Sequence, residues 1–237
     1  MLKEAIEKLV SLKENKIYEI NGETYSDNDL YRIEKFVPRP YEETVTSLDS
    51  VVKLILSECE RINNKIFVRV SDYKKVDVFT TYDDDFIRNR LYRSICDLPD
   101  FKFGWKDYES AIISLRSQFE MTDDVCYLLN ILSRITDENS ITSKDNGITQ
   151  EVEARKGISL ATKETIRPIV KLTPYRTFLE VEQPESEFLI RLHEGGQIGL
   201  IEADGGMWKL KAKASIKEYL EHALEEKIND GSVVVMI

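Results

Sequence analysis

The chain has 237 residues, of which 42% are hydrophobic and 32% charged, and this composition excludes a disordered or collagen-like chain. Lys and Arg number 33 against 43 Asp and Glu, and the net charge of −10 disfavours nucleic-acid binding over the whole surface, because an acidic protein repels phosphates. The apolar runs are all shorter than the roughly 18 residues of a membrane span, and three scattered cysteines exclude a disulfide framework.

The N-terminal residues predict a helix followed by a hairpin. Apolar residues at helical spacing predict a short amphipathic helix over residues 1–12, and the charged residues between them argue against a signal peptide. Asn21 and Gly22 form the turn expected of a two-residue β-hairpin. The two β-favouring runs that this turn joins are residues 16–20 and 23–26.

Residues 46–95 predict a helix and then three strands. Apolar residues recur at helical spacing from Leu48 to Ile62, and Thr46 is expected to cap this helix. A polar turn between the first two strands is typical of a hairpin. The predicted strands are residues 65–70, 76–82 and 86–95.

Two helices are predicted in the middle of the chain, over residues 108–119 and 122–135, and their short connection favours an αα-hairpin. Hairpins mixed with helices, without a regular βαβ rhythm, predict an α+β fold. Its sheets would be antiparallel and built from hairpins, with an inserted αα-hairpin and a C-terminal helix and strand. We expect residues 1–40, which end in a proline-rich connector, to be separate from one α+β domain over residues 41–237. Any subdivision of that domain would fall near residue 136.

The C-terminal third is dominated by glycine-rich turns and short β-favouring runs. Three of these runs predict consecutive antiparallel strands, residues 188–193, 198–203 and 207–211. Ser215 and Glu218 form a capping box that would open a helix. Residues 233–237 predict a buried final strand.

Residues 180–187 contain four carboxylates, Glu180, Glu182, Glu185 and Glu187. Such a run could imitate the phosphate spacing of a nucleic acid and occupy a basic groove on a partner protein. The alternative is a solvated strand edge whose charges prevent aggregation. The first interpretation predicts a partner-binding surface, whose neighbouring contacts would be Tyr175, Arg176 and Trp208.

Three arginines, Arg88, Arg90 and Arg93, are interleaved with Phe86 and Tyr92 near the predicted third strand. Alternate residues of a strand share one face, so Arg88 and Arg90 are expected to lie beside both rings. Rings on such a face could stack on bases while the guanidinium groups pair with phosphates. The alternative is an exposed face whose arginines neutralise the acidic run just before it.

No segment carries the signature of a known catalytic site. Asp72 and Lys74 fit half of the D-x-K pattern of metal-dependent nucleases, in which a carboxylate binds magnesium and the lysine assists the attacking water. Tripeptides of this kind also arise by chance, and this one lies in a predicted turn. We therefore expect no catalytic residue, no cofactor and no metal, and the nuclease is kept as an alternative.

Three segments carry a resemblance to a known family. They are IEKFVPRP, which ends at Pro40, KLTPYRTFLEVEQPESEFLIRL, which begins at Lys171, and EADGGMW, which ends at Trp208. In these segments the chain resembles the YfdQ-like family of uncharacterised phage and prophage proteins, over most of its length. The resemblance implies a phage gene product that works inside a bacterial cell. It implies no activity and no site residues.

These patterns favour a non-enzymatic phage accessory protein of the bacterial cytoplasm that binds a macromolecular partner. The first expectation is a host or phage protein, since inhibition of a host defence or nucleic-acid-processing complex suits an acidic chain without catalytic motifs. The alternative is a nucleic-acid-binding helper of phage replication or recombination that uses Arg88, Arg90 and Arg93, and the second alternative is the nuclease. No membrane partner is expected. Pairing of residues 233–237 across a two-fold axis would produce a homo-oligomer.

Overall fold

The structure of the chain is a computed structural model. It describes residues 2–11, 16–26, 39–62, 64–84, 86–136, 140–145, 150–156, 159–193 and 197–237. The chain divides into two compact units, Met1–Arg39 and Pro40–Ile237. This boundary lies next to the one that the sequence predicts.

The N-terminal unit contains, in its described residues, α1 (Leu2–Ser11), β1 (Ile17–Ile20) and β2 (Glu23–Ser26). The two strands pair antiparallel, with Ile20 opposite Glu23. Both turn residues have positive φ, 53° at Asn21 and 79° at Gly22, as the I′ turn favoured by Asn-Gly requires. The predicted helix and hairpin are confirmed, whereas most of the predicted connector lies outside the described residues.

The second unit alternates helices with strands. Its helices are α2 (Leu48–Glu58), α3 (Tyr108–Gln118), α4 (Asp123–Thr136), α5 (Trp208–Ala223) and α6 (Glu225–Asn229). Its strands are β3 (Glu43–Val45), β4 (Ile66–Asp72), β5 (Lys75–Tyr82), β6 (Arg88–Ile95), β7 (Gly104–Asp107), β8 (Ser140–Asp145), β9 (Gln150–Lys156), β10 (Ser159–Ile166), β11 (Ile169–Leu172), β12 (Ser186–His193), β13 (Gln197–Glu202) and β14 (Val233–Met236). Antiparallel hairpins dominate the sheets, and the predicted α+β class is confirmed.

A five-stranded sheet has the order β14-β4-β5-β6-β3. Its centre is the predicted antiparallel meander of β4, β5 and β6, while β14 and β3 pair parallel to β4 and β6 at the two edges. Alternate residues of the strands face α2 and α5, and we call this side the inner face. Residues of this core with no exposed surface include Ile55, Val68, Val76, Val78, Ile216 and Leu220.

A four-stranded antiparallel sheet has the order β11-β12-β13-β7. Helices α3 and α4 contact each other and pack against this sheet, in agreement with the predicted αα-hairpin. Leu115, Leu132 and Phe188 are buried in the shared core. Strands β8, β9 and β10 form a further antiparallel sheet of order β10-β9-β8.

The start of α5 corrects the prediction for the C-terminal third. The sequence predicts a strand over residues 207–211, but Trp208 begins a helix. Asp204 explains the difference, because its carboxylate accepts hydrogen bonds from the backbone N–H groups of Gly206 and Trp208 at 3.0 and 3.2 Å. The glycine turn therefore leads into a helix and not into a hairpin, and this carboxylate satisfies the N–H group of its first residue, Trp208.

Two predicted helix caps are also wrong. Ser47, and not Thr46, caps α2, and its Oγ accepts the backbone N–H three residues further along at 3.2 Å. Ser215 and Glu218 lie in the middle of α5, which begins earlier than the predicted capping box. The final strand is confirmed as β14, although only Val233 in it is fully buried.

None of the helices that the structure describes is long and apolar enough to cross a bilayer.

Candidate functional site

The side of the five-stranded sheet opposite α2 and α5, which we call the outer face, carries aromatic and basic residues. On β4, Ile66, Val68 and Val70 point into the core, so Phe67 and Arg69 between them lie on the outer face. Phe67 is in register with Phe79 of β5, and the two rings stack with centroids 5.8 Å apart and planes 17° from parallel. The strand pairing thus builds an aromatic platform from residues of two neighbouring strands.

Arg88 lies on this platform. Its guanidinium carbon is 5.1 Å from the ring centroid of Phe67, 4.9 Å from that of Phe79 and 4.2 Å from that of Tyr82. The Nε atom of Arg88 is buried without a hydrogen-bond partner, and the described residues offer this guanidinium no carboxylate. Arg88 therefore keeps its charge and most of its donors available for a ligand.

Arg90 is the second arginine of the outer face without an ion pair among the described residues. It is exposed and lies opposite Phe79 in the register of β5 and β6. Arg69 is also half-exposed, and its guanidinium carbon lies 5.3 Å from the Phe79 centroid. The guanidinium groups of Arg69 and Arg88 therefore lie over the stacked phenylalanines, and Arg90 pairs with Phe79 across the neighbouring strand.

Arg93 differs from the other arginines of the outer face because its guanidinium group forms ion pairs with two carboxylates. Its Nε lies 2.9 Å from Asp77 and its Nη2 lies 3.0 Å from Glu42. Asp77 also has Arg69 and Lys75 at 3.6 Å. Burial raises the pKa of Asp77, but hydrogen bonds from Ser71 and Arg93 and the charges of Lys75 and Arg93 outweigh it and hold this pKa below its ordinary value. Arg93 thus helps to stabilise the sheet.

Two rings expected beside these arginines lie elsewhere. Tyr92 is buried on the inner face, where its hydroxyl donates to Glu58, and burial together with that hydrogen bond raises the pKa of Tyr92. Irregular pairing between β5 and β6 breaks the simple alternation that the prediction assumed. Phe86 is 83% exposed and lies in the turn before β6.

The acidic turn before β6 is not neutralised by these arginines in the part of the chain that the structure describes. Asp83 instead accepts the backbone N–H of Ile87 at 2.8 Å. Asp84 is exposed in the same turn, and Asp85 lies outside the described residues. The acids therefore border the outer face at one end.

A second candidate site is a cavity of about 200 Å³ lined by Tyr73, Lys74, Asp100, Phe101, Lys102, Arg176 and Trp208. Arg176 is only 2% exposed and its guanidinium carbon lies 4.0 Å from the Trp208 ring centroid. Glu202, Ser186 and the carbonyl of Pro184 accept its Nη hydrogens. Burial lowers the pKa of Arg176, and the charge of Glu202 opposes that shift.

This burial corrects the predicted partner surface. The sequence predicts Arg176 and Trp208 as surface contacts beside the acidic run, but both are interior residues, 2% and 5% exposed. Tyr175 is half-buried. The physical reason is that Arg176 compensates its charge by pairing with Glu202 inside the fold.

The four carboxylates of residues 180–187 do not form one free surface. Glu180 accepts the backbone N–H groups of Leu48 at 2.7 Å and Asp49 at 3.4 Å, at the start of α2. Glu185 lies 3.7 Å from Lys171. Glu182 and Glu187 are exposed. Glu180 and Glu182 also line an open groove of about 340 Å³ beside α5, together with Ser215, Glu218, Tyr219 and His222.

Asp72 and Lys74, the residues of the predicted nuclease pattern, both make contacts within the fold. Asp72 accepts the backbone N–H of Tyr73 at 2.7 Å. Lys74 donates to the carbonyl of Leu98 at 2.6 Å and pairs with Asp100 at 3.0 Å. The described residues contain no cluster of His, Cys, Asp or Glu that could hold a metal ion.

Comparison with protein-family models, with curated proteins and with solved structures gives no match to the chain. The resemblance to the YfdQ-like family stays a prediction.

Proposed function

We propose that this protein binds single-stranded nucleic acid on the outer face of its five-stranded sheet. The observation that carries the proposal is the position of Arg88, a guanidinium without a carboxylate partner among the described residues, over the rings of Phe67, Phe79 and Tyr82. Arginine planes and aromatic rings are the two kinds of surface on which unpaired bases stack.

The exposed parts of the face suit a flexible strand. Tyr82 is 58% exposed and offers its ring to a base, while Arg90 and Arg69 reach solvent on either side of the phenylalanines. Bases would stack on Tyr82 and on the Arg88 plane, and phosphates would pair with the guanidinium groups of Arg69, Arg88 and Arg90. A duplex hides the faces of its bases, so a single strand is the better ligand.

The charge of the whole chain limits how strongly the face can bind. A protein of net charge −10 repels a polyanion at long range, and only the local group of Arg69, Arg88 and Arg90 attracts it. Stacking must therefore contribute much of the affinity. This combination predicts modest affinity, little sequence preference and clear weakening by salt.

The test is fluorescence anisotropy of labelled oligothymidylate and oligouridylate with the full chain at low salt. We expect both to bind, and the variant Arg88→Gln with Arg90→Gln to bind at least about tenfold more weakly, because it loses one stacking plane and two phosphate partners. Arg116→Gln is a control for the loss of an arginine elsewhere, since Arg116 is exposed on α3, which packs against the four-stranded sheet. A double variant that binds like the wild type would refute the proposal.

The partner-protein hypothesis has less support. Glu180 and Glu185 already have partners in the fold, so only Glu182 and Glu187 of the acidic run remain for a ligand. Phage origin, cytoplasmic location and self-association through β14 stay predictions.

A further inference from the structure

We propose that Phe86 is a further base-stacking residue, in the turn between β5 and β6 at the end of the outer face. This inference rests on the proposed function and adds a contact beyond the sheet itself. Among the described residues, only Asn21 and Phe86 are non-glycine residues with positive φ, 53° and 58°. The left-handed region tolerates Asn, whereas a bulky residue such as Phe is an outlier there. Phe86 is therefore held in a conformation that its own side chain disfavours.

The ring of Phe86 also lies outside the core. It is 83% exposed, against 8% for Phe79 of the aromatic platform. An exposed ring contributes no burial energy to the fold, and a positive φ makes the folded chain less stable. Residues with strained backbones cluster at ligand-binding and active sites. Exposure and strain together point to a role of Phe86 in binding and not in folding.

Three hydrogen bonds hold the turn that presents Phe86. The backbone N–H of Asp83 donates to the carbonyl of Ile87 at 2.9 Å, and that of Phe86 donates to the carbonyl of Asp83 at 3.0 Å. The carboxylate of Asp83 accepts the backbone N–H of Ile87 at 2.8 Å. These bonds fix the backbone around the strained residue, which is the condition under which such strain persists. A ring on a fixed turn loses little freedom when a ligand binds.

The turn places Phe86 next to the stacking surfaces of the outer face. Tyr82 ends β5 and Arg88 begins β6, and the two residues are opposite each other in the register. The Arg88 guanidinium carbon lies 4.2 Å from the Tyr82 ring centroid. Proteins that bind single strands stack successive bases on successive aromatic side chains. A strand stacked on Tyr82 and Arg88 would therefore meet Phe86 with its next base.

The acids of the turn favour a base over a phosphate at this position. Asp84 is exposed in the same turn, and the carboxylate of Asp83 is close to its backbone. Carboxylates repel phosphates but not a neutral base, so the contact at Phe86 is stacking without an ion pair. Loss of the ring should therefore weaken binding without changing its salt dependence, unlike loss of Arg88 and Arg90.

The test is fluorescence anisotropy of labelled oligothymidylate with three variants of the full chain. Phe86→Tyr keeps an aromatic ring and should bind like the wild type. Phe86→Leu keeps an apolar side chain without a ring, and we expect at least about fivefold weaker binding with an unchanged salt slope. Phe86→Gly should bind as weakly as Phe86→Leu. It should also have a higher urea midpoint than the wild type, because glycine adopts positive φ without strain.

The outcomes separate this role from the proposed function. If the wild type binds, and Phe86→Leu and Phe86→Gly bind equally well, the outer face is the site and Phe86 has no part in it. Equal losses of affinity in Phe86→Tyr and Phe86→Leu would show that the ring is not a stacking surface. A urea midpoint of Phe86→Gly below that of the wild type would assign the ring to the fold and overturn the inference. Absence of oligothymidylate binding by the wild type would overturn both proposals.

Discussion

The same strands form both faces of the five-stranded sheet, but the two faces differ in their residues and in their burial. The inner face of β4 and β5 consists of aliphatic residues such as Val68 and Val78, which have no exposed surface beneath α2 and α5. The outer face places Phe67, Phe79 and Arg88 together, with guanidinium groups over the rings. Packing against the helices therefore explains only every second residue of these strands, and the outward-facing residues between them need another role.

Truncating one side chain that packs on the inner face and one on the outer face tests this difference and has the largest expected effect. Ile55 of α2 packs into the inner core with no exposed surface. We expect Ile55→Ala to lower the free energy of unfolding by about 3 kcal/mol, because it removes buried methyl groups and leaves a cavity. Phe67→Ala on the half-buried outer face should cost only about 1 kcal/mol. Urea unfolding monitored by circular dichroism measures both.

In the binding assay, the two variants should rank in the opposite order. Phe67→Ala is expected to weaken oligonucleotide binding, whereas Ile55→Ala, at a temperature where it is folded, should leave binding unchanged. If Phe67→Ala costs as much stability as Ile55→Ala and leaves binding intact, the outer face is a packed core and not a binding surface.

A substitution at Glu180 tests the contact between the acidic run and helix α2 of the inner core. Its carboxylate accepts two N–H groups at the start of α2, where a negative charge also interacts favourably with the helix dipole. We expect Glu180→Gln to lower the free energy of unfolding by about 1 kcal/mol. Glu182→Gln makes the same charge change at an exposed neighbour and should have no measurable effect. Equal stabilities of the two variants would contradict the capping role.

The ionisation of Asp77, on the outer face, should make the stability of the fold depend on pH. Because its pKa is lower in the folded chain than in the unfolded one, its contribution to stability is present above the ordinary aspartate value of about 3.9. It is lost as the pH falls through the lowered pKa. We expect the urea midpoint of the wild type to fall between pH 6 and pH 3 by more than that of Asp77→Asn. Parallel pH profiles of the two chains would show that Asp77 is not stabilised by its cationic neighbours.

The inner face could be predicted from sequence, and the outer face only in part. Helical spacing from Leu48 and the β-branched runs of β4 and β5 locate the inner core, because periodicity reports which side of an element is buried. Arg88 and Arg90 stand out locally as arginines beside aromatic residues. Phe67 does not, since its pairing with Phe79 depends on strand register, although alternation along β4 carried a signal that it faces away from the core.

The cavity could not be predicted from local patterns. Arg176 is a charged residue in an irregular segment, and charged residues are rarely buried unless paired. Its partner Glu202 lies at the end of β13, and the sequence predicts a strand at Trp208 because the glycine turn before it resembles a hairpin turn. Only the capping carboxylate of Asp204 distinguishes the two outcomes, and its hydrogen bonds appear only in the folded chain.

The most direct test of nucleic-acid binding by the outer face is the salt dependence of oligothymidylate binding to the wild-type chain. If the outer face pairs about three guanidinium groups with phosphates, a plot of log K against log salt concentration should have a slope near −2. The double variant Arg88→Gln with Arg90→Gln should have a slope closer to zero. Absence of binding at low salt, or equal slopes for the two chains, would contradict the proposal that this face binds single-stranded nucleic acid.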